Sequence, residues 1–320
     1  MRRARVVNVP HAGDARIDPA PRRTSKERAG LALGVIGVFL FAGTLPATRL
    51  AVAWIDPLFL TAARAAIAGC SGLILLLLLR RPLPPPAIRR TLVITAICTV
   101  IGFPVLMALA MVTVPASHGG VVLGIIPLAT TAAAAVVAAE RPSAGFWLVS
   151  LAGAAIVVVF VLSQSGGLTI APGDLFLLGT VASGAVGYAL SGRMSMRMPG
   201  WEVISWQVVA VLPLAAIATF VLWPSNLSTV PWPAWAGFAY ASFVSQFFAF
   251  FVFNAAMAMA GVARVSQLML LQPFMIVALA VIVNDEPIRL TTLGFAAAVV
   301  AAVVIGQRMK VRRGGVSGGA

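Results

Sequence analysis

Ten apolar runs, each near the length of a bilayer-spanning helix, govern what this chain can become. They fall at about 31–54, 58–79, 91–112, 116–138, 145–163, 174–191, 203–222, 234–257, 264–284 and 290–307. About 20 residues at ~1.5 Å each cross a hydrocarbon core of ~30 Å. Of the 320 residues, 60% are hydrophobic and only 10% are charged, against about 25% charged in a soluble domain. No water-soluble fold of this size hides so much apolar surface. In lipid every backbone polar group must be satisfied internally, and runs this long achieve that as helices. The expected fold class is an all-α polytopic membrane protein with ten transmembrane helices.

The charges fall between the runs. The net charge is +14, which in a soluble chain would suggest nucleic acid. Here, with the N-terminus placed in the cytoplasm, 20 of the 23 Lys and Arg lie in cytoplasmic segments. Only Arg289 lies outside, and Arg49 and Arg64 lie within runs. That asymmetry is the positive-inside pattern and supports an even number of spans. Trp54 and Trp223 sit at outer ends, as interfacial anchors do. The expected location is the inner (cytoplasmic) membrane, multi-pass, with both termini cytoplasmic. The tail MRRARVVNVPHAGDARIDPAPRRTSKERAG is polar and basic and is expected to be disordered. The run after it is longer than the ~7–15 residue core of a signal peptide, so it is expected to stay as a span. Cys70 and Cys98 lie in apolar runs without metal spacing and read as small apolar residues. No metal, cofactor or nucleic-acid partner is expected; the partners are a small-molecule substrate and the bilayer, with coupling ion and oligomeric state open.

The chain repeats itself. LGIIPLATTAAAAVVAAERP and MLLQPFMIVALAVIVNDEPI share a proline 13 residues before a glutamate, Pro127 to Glu140 and Pro273 to Glu286, at an offset of 146. At the same offset Ala110-Met111 falls on Ala256-Met257, and His118 on Arg264. A five-span unit is odd-numbered, so two copies insert in opposite orientations, as in secondary transporters built from inverted repeats. The expected organisation is a basic tail at 1–29, a first repeat at 30–163, an outer linker at 164–172, a second repeat at 173–308 and a tail at 309–320.

These residues resemble a known family. PLFLTAARAAIAG with Arg64, VPASHGGVVLGIIPLATTAAAAVVAAERPS with Pro127 and Glu140-Arg141, GDLFLLG, and VARVSQLMLLQPFMIVALAVIVNDEPI follow the order seen in EamA-like members of the drug/metabolite transporter superfamily. The resemblance covers roughly residues 31–307. It implies a basket of ten helices in two inverted halves, and carriage, often export, of small metabolites, amino acids or drugs. The chain departs from the pattern in FAGTLPATRL, where many relatives carry a lysine.

The candidate site follows from depth. Pro127 and Pro273 lie about 15 Å into their spans, near the midplane, where a proline frees a backbone carbonyl that must find a partner or line a wet cavity. The expected cavity lining is Thr44, Pro46, Pro127, Ser183, Gln246, Asn254, Gln267, Gln272 and Pro273. The alternative for each is a hydrogen bond between neighbouring helices. Arg64 lies about 10 Å deep and is a gate or substrate candidate by cost; pairing with Asp56 or snorkelling is the structural alternative. His118 and Arg264 open the fourth span of each half and are candidate gate charges. Pro46 predicts a kink in the first helix. No catalytic residue is expected.

The expected function is alternating-access secondary transport, with a lipid-linked flippase of the same fold as the alternative. A membrane-embedded transferase needs an acid–base or metal constellation, and the chain has only His11 and His118 and no carboxylate cluster, HExxH or phosphate loop. No GxxxxGK[ST] motif marks it as an ATP-driven pump.

Overall fold

The computed structural model describes residues 25–137, 141–164, 171–195, 197–225, 227–260, 268–308 and 311–312. Helices dominate the described residues. Numbered by the ten expected spans, the first is α1 (Ser25–Ala42) followed by α2 (Thr44–Val52), and the second is α3 (Pro57–Leu78). The third is α4 (Pro86–Ala96), a π-helical segment (Ile97–Gly102) and α5 (Phe103–Thr113). The fourth is α6 (Ala116–Leu123) and α7 (Ile126–Val137), and the fifth is α8 (Ala144–Gln164).

The second half repeats the order. The sixth and seventh spans are α9 (Pro172–Ser195) and α10 (Gly200–Val221). The eighth is α11 (Trp232–Ala239), a second π segment (Tyr240–Phe248) and α12 (Ala249–Ala260). The ninth carries a short 3-10 turn (Met269–Leu271) and α13 (Gln272–Asn284), and α14 (Leu290–Gln307) is the tenth. Among the described residues, seven helices are long and apolar enough to cross a membrane, eight with the bent pair α6–α7, and the last two are shorter apolar helices. Leu78, Val136, Phe220 and Leu290 are among many large apolar side chains left exposed, a surface that suits lipid and not water.

Local chemistry sets the helix ends and breaks. Asp56 caps α3, its Oδ1 accepting from the Leu58 and Phe59 amides at 2.9 Å each, with Pro57 preset for the first turn. The proposed pairing of Arg64 with Asp56 is therefore not what forms. The first helix breaks at Gly43, three residues before Pro46. Pro46 has no N–H to give the Ala42 carbonyl. A Cβ on Gly43 would overlap the Tyr240 hydroxyl, so only glycine lets the eighth span approach here. Pro127 and Pro273 each stand second in a helix, α7 and α13, where the missing N–H costs nothing. The two helix starts, Ile126 and Gln272, are 146 residues apart, the offset of the sequence repeat. The break before α7 bends the fourth span by 42°. Helix α1 starts at Ser25, so residues 25–29 of the expected disordered tail are helical; 1–24 lie outside the described residues.

The helices alternate in direction. Gly30 meets Met259 and Ala260 while Gly237 meets Ala47, so the first and eighth spans run antiparallel. Gly69 meets Leu212 and Gly72 meets Val208 between second and seventh, and Gly187 meets Thr99 while Gly173 meets Thr113 between sixth and third. Gly120 on Ile276 and Gly124 on Pro273 set fourth against ninth. Spans of equal parity run parallel: the starts of fourth and sixth meet at His118 and Asp174, and the ends of first and ninth at Pro46 and Asn284. Exchanging the halves maps these contacts onto one another: first–eighth onto sixth–third, and fourth–sixth onto ninth–first. Second–seventh, fourth–ninth and fifth–tenth map onto themselves. The repeat in the sequence is thus a two-fold relation in the packing. A two-residue antiparallel pairing of Arg141–Pro142 with Val311–Arg312 ties the ends of the fourth and tenth spans together.

Candidate functional site

The polar residues buried at mid-depth gather where the π segments cross their neighbours. A π segment carries one residue more than an α-turn accommodates, and such segments recur at functional sites. In the third span the distortion precedes Phe103-Pro104, and Pro104 cannot donate to the Val100 carbonyl. The segment in the eighth span has no such proline.

The eighth-span segment meets the first and second spans. Thr44 at the start of α2 and Ser245 share a hydrogen bond of 2.7 Å between their hydroxyls. Next along the chain, Gln246 accepts from Arg64 Nη2 at 2.8 Å through Oε1. Arg64 is 2% exposed, so snorkelling is not its role. Its Nε and Nη1 have no acceptor. Tyr188 of α9 lies within electrostatic reach of Arg64 and packs beside Phe103, ring centroids 6.1 Å apart.

The third-span segment meets the sixth and seventh spans in the same manner. Ser183 donates to the Cys98 carbonyl at 2.9 Å. Thr99 donates to Gln207 Oε1 at 3.0 Å, and Gln207 Nε2 donates to Ser191 at 3.0 Å. Here the buried side chains are neutral and partnered.

A second cluster closes the end of the bundle where the first, fourth, sixth and ninth spans meet. Asp285, in the left-handed region at φ 53°, ends α13 and the Glu286 amide returns to the Ala280 carbonyl, a Schellman-type close followed by a proline. This turn aims Glu286 at the start of α6. Its carboxylate accepts from the Ala116 amide at 2.6 Å and the Ser117 amide at 3.0 Å, where a helix N-terminus favours negative charge. Arg49 Nε lies 3.5 Å from the same carboxylate, and Nη1 donates to the Met111 and Val114 carbonyls. One turn on, His118 Nε2 is 2.7 Å from Asp174 Oδ1, whose other oxygen accepts from the Ala171 amide at 3.2 Å. Asn284 donates to the Pro46 carbonyl at 3.2 Å.

The candidates read from the sequence therefore separate. Thr44, Gln246 and Arg64 come together in one crossing, and Ser183 lies in the other. Pro127 and Pro273 open the half-helices of the fourth and ninth spans, which meet at Gly124 and Pro273 among apolar side chains such as Val121 and Val299. Gln272 opens α13 beside Pro273. Pro46 and His118 belong to the closed end. Gln267 and Arg264 lie outside the described residues, as does the side chain of Asn254. Pattern reading missed Ser245, Tyr188, Gln207 and the pairing of Asp174. Gln207 carried a usable signal, a lone amide inside an apolar run; Ser245 carried little, since serine is common in membrane helices. Among the described residues no group of three or more His, Cys, Asp or Glu could hold a metal ion.

Three comparisons bear on this geometry. The EamA-like transporter family matches twice, over residues 28–162 and 171–306, one match for each half. The uncharacterized transporter YdeK of Bacillus subtilis (strain 168) is 39% identical over 284 residues, spanning 89% of this chain and 99% of YdeK. A solved chain described only as "Crystal structure of protein" superposes with a TM-score of 0.58 over 89% of this chain and 97% of its own, at 23% identity. That likeness speaks to the fold.

Proposed function

Since the chain belongs to the EamA-like transporter family and is a multi-pass membrane transporter, we propose that it carries small metabolites, amino acids or drug-like compounds across the cytoplasmic membrane by alternating access. Ten spans with both termini cytoplasmic, and export as the direction, complete the proposal. The observation that carries it is the two-fold relation between the halves. Two related halves that pack against each other have two equivalent ways to do so, one open to each side. The polar layer at the π crossings lies between the ends, where a site must be reached from both.

In this conformation one end is held shut by Arg49, Glu286 and the start of α6, with His118 and Asp174 beside them. Opening that end separates the fourth span from the ninth. The two-fold mates of Glu286 and His118 are Glu140 and Arg264, and the proposal assigns them the matching role at the other end. Pro46, Pro127, Pro273 and Gln272 then serve as the points where half-helices bend during the exchange. Replacing Pro46 with Ala is expected to reduce transport more than folding.

The test is counterflow in proteoliposomes. Purified protein is loaded with an unlabelled compound and offered its labelled form, across amino acids, nucleosides, organic acids and drug cations. Accumulation of at least one compound above protein-free vesicles is expected. Its absence for the whole series, with folded protein, would refute transport.

A further inference from the structure

We propose, resting on that transport reading, that Arg64 is the group that receives the substrate, and that the substrate class is small molecules bearing a single carboxylate. The guanidinium is buried among helices that face lipid, where an unbalanced charge is costly and is kept for a purpose. Its partner, the Gln246 carbonyl oxygen at 2.8 Å, is neutral. Nε and Nη1 carry three further N–H bonds, and none has an acceptor.

No described carboxylate balances the charge. Asp56 is spent on capping α3. Asp174 holds His118, and Glu286 holds Arg49 and α6. Glu202 lies 3.9 Å from Arg81. Asp285 is exposed at the end of α13, and Glu27 is in the first turn of α1. Among the described residues the charge is left without a carboxylate, and a substrate can supply one.

The geometry selects the ligand. A planar fork of N–H groups matches a carboxylate through two parallel hydrogen bonds. One guanidinium balances one negative charge, so a monocarboxylate leaves the pair neutral and a phosphate dianion does not. Gln246 fixes the fork from one side without neutralising it. The Thr44–Ser245 hydroxyl pair, adjoining Gln246 in the same π segment, can bond a second polar group on the substrate.

Matched acids and primary amides test the proposal: benzoate with benzamide, leucine with leucinamide, serine with serinamide, each assayed by counterflow. The wild-type protein is expected to carry an acid about ten- to a hundredfold faster than its amide, the worth of a charge-assisted hydrogen bond or two. Arg64→Gln is expected to lose acid flux. Gln246→Glu provides the decisive variant, because it gives Arg64 a carboxylate from within the chain. It is expected to fold with an unchanged or raised melting temperature and to lose acid flux. Were Arg64 only structural, Gln246→Glu would leave flux intact, and that result overturns the proposal. Equal carriage of acid and amide, or undiminished acid flux in Arg64→Gln, overturns it while leaving transport standing. No flux for acid or amide while a nucleoside or drug cation is carried overturns it and leaves transport standing; no flux for any compound overturns both.

Discussion

The crossing of the third span with the sixth and seventh, and that of the eighth with the first and second, are the same construction made twice. Each centres on a π segment, and the two segments coincide at the 146-residue offset, 97–102 falling within 240–248 once shifted. Each joins its neighbours through side chains a turn or less apart. Their content differs. Thr99, Gln207 and Ser191 form a neutral chain in which each partner answers another. At the mate of Gln207's side of the bundle stands Arg64, with one neutral partner and two nitrogens unanswered. Duplication preserved the backbone and released the side chains. The fully partnered crossing suits a structural role, and the one with two unanswered nitrogens is the proposed ligand site.

That contrast can be broken by experiment. The largest effect is expected from Arg64→Leu. Flux should fall by about a hundredfold, while thermal unfolding in detergent moves little, because relief of a buried charge without a counter-ion offsets the roughly 1–3 kcal/mol of leaving Gln246 without its donor. A large loss of stability with normal flux in the surviving protein would reverse the assignment.

Next in size is Gly43→Ala, where the new methyl meets the Tyr240 hydroxyl. It should cost about 1–3 kcal/mol, as overpacking does, and Tyr240→Phe in the same chain should recover part of it despite the lost bond to the Leu40 carbonyl. The parallel test in the other crossing is Gly102→Ala with Ser183→Ala, since a Cβ there meets the Ser183 hydroxyl. Equal rescue in both crossings would show that their backbones are equally tight.

Gln207→Leu should cost about 1–2 kcal/mol for the lost bonds to Thr99 and Ser191, with flux within about threefold of wild type. A collapse of flux would mean that both crossings handle substrate. The smallest effect is expected from Thr44→Val, about 1 kcal/mol for one buried hydroxyl pair, read by the same unfolding assay.

Much of this was legible before any coordinates, and for identifiable reasons. The apolar runs and the Lys/Arg asymmetry are statements about transfer into lipid, which each segment makes alone. Pro127 and Pro273 mark half-helix starts because a missing N–H acts within one turn. Both readings held. The site was less legible. Thr44, Gln246 and Arg64 were singled out by depth and polarity, yet depth does not say who faces whom. Asp56 looked like the partner of Arg64 because it is near in sequence; its own helix start claims it instead. Glu286 read as a boundary charge, and only the turn at Asp285 aims it at α6.

The sequence by itself determined that the chain lives in a bilayer, that its halves are copies and that Pro46, Pro127 and Pro273 stand near helix breaks. Desolvation, backbone geometry and charge across a membrane are local quantities, and each residue carries its own share of them. The tertiary structure decided that Arg64 would meet Gln246, 182 residues away, rather than a carboxylate, and that one of two equivalent crossings would keep a charge unanswered. Partner choice depends on which faces of which helices pack together, and in an apolar solvent many faces are alike until the bundle closes.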